Sequence, residues 1–270
     1  MEEIILKNKK HGMSVLLITI AVYILAIAGV IAGAASGYAA VTIVSVAALV
    51  IFMWVPMGLK VLKPQEALVL TLFGKYVGTL KGEGFYFVNP FCTAVNPAAK
   101  TKLNQSGDVD SHSGPLTLKS ATGSSETLSN KISLKIMTLN NNRQKINDCL
   151  GNPVEIGIAV MWRVVDTAKA AFNVDNYKEY LSLQCDSALR NIVRVYPYDV
   201  APNVDTTGDG VADEGSLRGS SEVVAARIRD EIQSRVNEAG IEIIEARITY
   251  LAYAPEIAAV MLCLLYTSDA

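Results

Sequence analysis

From Gly12 to Leu59 the chain carries no Asp, Glu, Lys or Arg. Each such charge at mid-bilayer would cost about 2.5 to 3.5 kcal/mol, so a run this free of them reads as membrane sequence. As one straight helix it would measure about 70 Å, more than twice the roughly 30 Å hydrocarbon core, and it therefore has to turn. Small residues, two glycines and a tyrosine between Gly33 and Tyr38 place the turn there. Two spans result, Met13 to Ala34 and Ala39 to Met57, which together make a transmembrane helical hairpin over residues 13–58.

Charge assigns its sidedness. Lys7, Lys9 and Lys10 precede the first span, Lys60 and Lys63 follow the second, and the turn is uncharged. By the positive-inside rule residues 1–12 form a basic cytoplasmic tail, and the chain after the hairpin lies on the cytoplasmic side of the cell membrane. A cleaved signal peptide is the rival reading of the first span, but the apolar stretch is long and a second follows at once. Gly29, Gly33 and Gly37 form a small-xxx-small ladder through which the spans could approach closely; glycine is also simply common in membrane helices. Trp54 and Pro56 fit an interfacial anchor and a helix end.

Several chemistries find no residues to carry them. A net charge of -2 gives no hint of nucleic acid as a partner. Cys92, Cys149, Cys185 and Cys263 are scattered without a C-x-x-C pair, which fits reduced thiols and suggests neither a disulfide framework nor a zinc site. His11 and His112 read as solvated. Gly82-Glu83-Gly84 superficially resembles a phosphate loop, yet Phe85-Tyr86-Phe87-Val88 reads as strand and no Lys-Ser/Thr pair follows. No motif for catalysis, metal or cofactor is recognisable, and the expectation is a protein that is not an enzyme.

Beyond the hairpin the periodicity alternates between strand and helix. Glu66 to Tyr76 is apolar on both faces, as in a covered strand. Lys131 to Leu139 alternates Ile132, Leu134 and Ile136 with polar residues and predicts one half-exposed strand. Val154, Ile156, Ile158, Val160, Trp162 and Val164 share a face of another. A short helix is predicted over Asp166 to Phe172, then a longer one with Tyr180, Leu183, Ala188, Ile192 and Val195 on its buried side. Val224, Ile228, Ile232 and Val236 predict a further helix that Gly240 ends, and Ile241 to Tyr253 returns as strand. Asp205, Asp209, Asp213 and Glu214 suggest part of a calcium loop, but Ser216 stands where the bidentate Glu belongs, so a solvated Asp/Gly loop is expected.

Lys63-Pro64-Gln65-Glu66-Ala67, Phe73-Gly74-Lys75-Tyr76-Val77-Gly78-Thr79 and Asn89-Pro90-Phe91 resemble the opening of the SPFH, or band 7, domain of stomatins, prohibitins and flotillins. Asn147-Asp148, Gly151-Asn152-Pro153-Val154, Met161-Trp162-Arg163-Val164, Ala188-Leu189-Arg190, Tyr196-Pro197-Tyr198-Asp199 and Tyr253-Ala254-Pro255-Glu256-Ile257-Ala258 continue the likeness in order. The resemblance implies an α/β fold, an SPFH domain of mixed sheet and packed helices over residues 62–253, behind the transmembrane hairpin. It implies a membrane-anchored oligomeric scaffold that organises membrane microdomains, with the lipid bilayer and further copies of itself, in a ring or cage, as partners. A regulatory subunit of a membrane protease or channel is the alternative, and a calcium-responsive membrane module a third.

In that family the first strands and turns lie against the bilayer. The resemblance thus puts Phe85, Phe87 and Phe91, beside the anchor Trp54, at the membrane interface or in the adjoining core, with Tyr86 on the opposite face of its strand. It also implies that residues 254–270 begin a coiled-coil helix, with Ile257, Val260 and Met261 as oligomer contacts. The last residues, "CLLYTSDA", depart from it: they carry no heptad pattern and read as an anomalous, truncated tail or else as an authentic short terminus.

Overall fold

The computed structural model describes residues 3–6, 11–101, 130–141, 143–199 and 215–258. The chain divides into two compact units, Met1–Ala99 with Leu128–Leu134, and Lys100–Thr127 with Lys135–Ala270.

In the first unit α1 (Gly12–Ser36) and α2 (Ala39–Phe52) pack against each other as a helical hairpin, and a 3-10 turn at Val55–Gly58 follows α2. Gly37, with φ of 70°, caps α1 in the left-handed conformation that glycine adopts without a Cβ penalty. The buried residues of α1 are Gly12, Thr19, Ala26 and Gly33, a stripe of small residues seven apart. Its large residues face outward. Thr19 returns its hydroxyl to Val15 O at 2.7 Å, and the Tyr23 hydroxyl donates to Phe52 O at 2.9 Å, so these two hydroxyls are satisfied within the hairpin.

Beneath the hairpin β1 (Leu59–Leu62) pairs antiparallel with β4 (Gly84–Phe87). A second sheet is centred on β2 (Glu66–Leu72), with β3 (Lys75–Lys81) along one edge and β5 (Cys92–Ala94) and β6 (Ile132–Ser133) sharing the other. Being central, β2 buries residues on both faces, which is why its sequence does not alternate. Leu62, Leu68, Leu70, Leu80, Tyr86 and Val88 make the core of this unit.

The second unit is an antiparallel sheet. β9 (Pro153–Val164) lies between β10 (Ile241–Tyr253) and a broken edge made of β7 (Met137–Asn140) and β8 (Gln144–Asn147). The six residues Val154 to Val164 that share one face of β9 are all buried. At about 1.5 to 3 kcal/mol for each large apolar side chain removed from water, this face is one of the main contributors to the stability of the unit. Helices α3 (Thr167–Phe172), α4 (Tyr177–Val193) and α5 (Ser221–Val236) complete it. Asp166 and Asn176 cap α3 and α4 by accepting backbone N–H bonds, and Gly240, φ 67°, ends the turn after α5. The buried Asp148 carboxylate accepts from the backbone N–H groups of Leu150, Asn152 and Tyr198, tying the turn before β9 to the segment after α4.

Two details differ from the sequence reading. The stretch 131–139 is not one strand: Ile132–Ser133 pairs with β2, Met137–Asn140 pairs with β9, and Ile136 between them is exposed. On α4 the buried face is Tyr177, Leu181, Cys185, Ala188, Leu189 and Val193, while Leu183 and Val195 are each 60% exposed. The helix is rotated from the expected phase because Tyr177, at its first position, already points into the core.

Candidate membrane interface

Residues 3–6, ahead of α1, lie along β3. Thr79 N–H donates to Ile4 O at 2.8 Å and Leu6 N–H to Thr79 O at 3.0 Å, while Ile4 N–H reaches the Tyr76 hydroxyl at 3.3 Å. Glu3 and Lys81 form an ion pair with 13% and 22% of their side chains exposed, which shields it more than an ordinary surface pair. Gly78 leaves room for Leu6: a Cβ there would meet the Leu6 side chain. This short strap thus joins the chain before α1 to a strand that follows the hairpin.

The hairpin starts and ends on β4. Gly12 sits against the backbone and ring of Phe85, and Gly58 against the Phe87 ring and Val88 O, so neither position has room for a Cβ. Phe85 and Phe87 are half-buried at these contacts, whereas Tyr86, on the other face, is 5% exposed in the core of the unit. Phe91 stands outside them. Its ring stacks between Trp54, at 6.1 Å between centroids, and Phe73, at 6.5 Å. Exposures of 53% for Trp54, 55% for Phe91 and 88% for Phe73 make this row an open aromatic surface just past the end of α2. Large rings left in water forfeit the burial that usually places them inside, whereas a bilayer interface accommodates them.

Phe73 was not among the residues expected here. It adopts φ of 49°, a left-handed conformation costing about 1 to 2 kcal/mol for a residue with a Cβ. The turn into Gly74 imposes that backbone and throws the ring outward. The only sequence sign is the Phe-Gly pair at the end of a strand.

Of the glycine ladder, Gly29 and Gly33 lie where α2 approaches: a Cβ at either would collide with Ser45 or Thr42 respectively. Gly37 does not join them. Nothing of another residue comes within 4 Å of its Cβ direction, because its place is the turn. The sequence reading also missed Thr19 and Ala26, which continue the small stripe without being glycine. Ile257 lies half-buried in a helical turn over residues 255–258, anchored by its N–H to Ala254 O at 3.1 Å. Val260, Met261, the Asp205 to Glu214 loop, His112, Cys263 and the final tail lie outside the described residues.

Elsewhere the chemistry is quiet. Among the described residues no group of three or more His, Cys, Asp or Glu side chains is gathered as for a metal ion. Burial, aided by the Asp186 charge, pushes the Cys185 thiol up to about 12, far from a reactive thiolate. Burial likewise raises Tyr177 to about 12.

Among protein families, residues 60–261 match the SPFH domain / Band 7 family. A comparison with curated proteins finds no match. The matched segment runs from β1 past the end of β10 and covers most of the chain, which therefore belongs to the SPFH domain / Band 7 family.

Proposed function

We propose that this chain is a membrane-anchored oligomeric scaffold that organises membrane microdomains, held by its hairpin with the SPFH domain on the cytoplasmic side. Proteins of the family generally associate with membranes and oligomerise, and both α1 and the segment Ala39–Gly58 are long and apolar enough to cross a bilayer. The observation that carries the reading is the strap. The hydrogen bonds of residues 3–6 to β3 support a reading in which the chain before the hairpin and the chain after it share one side of the membrane. A single crossing would tear that ladder apart. The lysines flanking the hairpin favour the cytoplasm as that side by the positive-inside rule.

Single cysteines at Ser36 and Arg218, in a chain whose native cysteines are alanine, test this in intact cells with an impermeant thiol reagent. Position 218 should label only after permeabilisation. Labelling at 218 in intact cells, with 36 protected, would reverse the sidedness.

A further inference from the structure

β10 is the outer strand of its sheet: among the described residues it pairs with β9 alone. Beside it α5 presents Glu222, Ala225, Ala226 and Arg229, spaced at helical intervals, toward Ala246 and Ile248, and the two elements enclose an open groove of about 450 Å³. Glu245 and Arg247 line it as well, so consecutive β10 residues from both faces of the strand border the groove, and no β9 residue does. A strand of 13 residues with an open edge is a template for pairing with another chain. Its register to β9 is interrupted between Ile243 and Glu245 and again between Ile248 and Tyr250, which leaves Glu245 to Ile248 as a regular stretch between two irregularities.

The sequence of that stretch selects the occupant. Within it Glu245 and Arg247 flank Ala246 with opposite charges. In an antiparallel ladder directly opposed residues share a face and interact. Laid against itself about Ala246, the stretch sets Glu245 opposite Arg247 twice, with Ala246 on the axis; Ile244 falls in the irregularity and takes no part. The Glu245 and Arg247 side chains are 40% and 67% exposed and free to meet such partners while keeping their own ion pair. A foreign strand would have to supply the same charges at the same spacing; a second copy has them already.

We propose that the free edge of β10 pairs antiparallel with β10 of a second copy, centred on Ala246, so that two sheets join into one across a two-fold axis. The contact is isologous, the same surface used by both partners. The proposal rests on the assembling-scaffold reading for its purpose and adds the surface and the register through which copies meet.

The test uses the full chain in detergent with its native cysteines replaced by alanine. Chains carrying Glu245→Cys are mixed with chains carrying Arg247→Cys and oxidised, and the disulfide-linked product is compared with that from each chain alone. Mixed chains should cross-link about tenfold faster than either alone, because 245 opposes 247 and not itself. Charge variants give a second readout through differently tagged copies. Glu245→Arg and Arg247→Glu should each recover their own kind poorly, recover one another well, and regain self-recovery when combined in one chain; the discrimination expected is about tenfold, or 1.4 kcal/mol. Equal cross-linking in mixed and unmixed samples, or a doubly exchanged chain no better than the single variants, would overturn the β10 contact. If light scattering then still finds large oligomers, the scaffold reading stands without this contact; monomers throughout would defeat both.

Discussion

In the β7–β10 unit Ile156, Ile158 and Val160 are completely buried, whereas in the hairpin Leu25, Ile31 and Ile43 are 72%, 65% and 68% exposed. Residues of the same kind are thus placed in opposite ways within one chain. What α1 buries instead is Gly12, Thr19, Ala26 and Gly33. In water, large apolar side chains gain by leaving solvent, and the core collects them. Among lipid tails there is no such gain between helices, so close approach through small residues takes over. The inversion is the arrangement expected if the hairpin sits in a bilayer and the β7–β10 unit in water.

The sharpest test of the water-facing half compares neighbours on α4. Leu181 is fully buried and Leu183 is 60% exposed. Leu181→Ala should cost about 2 to 5 kcal/mol, while Leu183→Ala should stay within about 0.5 kcal/mol. Urea unfolding followed by fluorescence of the buried Trp162, whose ring meets Tyr177 of α4 edge-on at 6.2 Å, reads both. Equal losses would restore the phase expected from sequence.

For the hairpin the corresponding change adds bulk. Gly33→Leu drives a side chain into Thr42 and should cost about 1 to 3 kcal/mol of hairpin packing. Spin labels on the outward positions Leu25 and Val50 should then move apart and broaden their distance distribution in pulsed resonance measurements. An unchanged distribution would mean that the small stripe does not set the helix separation.

The smallest effect concerns the segment that returns to the first unit as β6. Burial raises the Glu66 carboxyl, but the hydrogen bond from Lys131 and the Lys63 backbone N–H outweigh it and hold the group below its usual range. A lowered carboxyl contributes stability above its unfolded pKa and loses it as pH falls through the folded value. The pair is partly exposed, so a few tenths of a kcal/mol are at stake. Between about pH 6 and about pH 3 the parent should lose that much more than Glu66→Gln in urea midpoint measurements, since an unfolded glutamate titrates at about 4.3.

β9 and α5 were legible in the sequence because a single periodicity, two or four, runs unbroken through each and both bury what it marks. α4 was less so: Leu183 and Val195 are as apolar as Leu181 and Val193, and only the sheet beneath decides which set turns inward. The stretch 131–139 alternates correctly as a pattern, yet the chain changes sheets in the middle of it, and no local propensity records that. At the candidate interface Trp54 could be named from its chemistry and Phe85, Phe87 and Phe91 from the family resemblance, but Phe73 depends on a backbone angle. The strap was invisible, since Glu3 to Leu6 has no meaning until β3 lies beside it.

That strap also imposes an order of events during synthesis. At about 5 to 20 residues per second, β3 emerges from the ribosome roughly 4 to 15 s after Leu6 does, and the whole apolar run passes in between. Throughout that interval the N-terminal residues wait without their partner, their backbone groups open to competing contacts. A bulky fusion placed ahead of Glu3 would occupy them during the wait, so a tag at this end interferes with seating of the chain's first residues, whereas one at the other end leaves that step untouched.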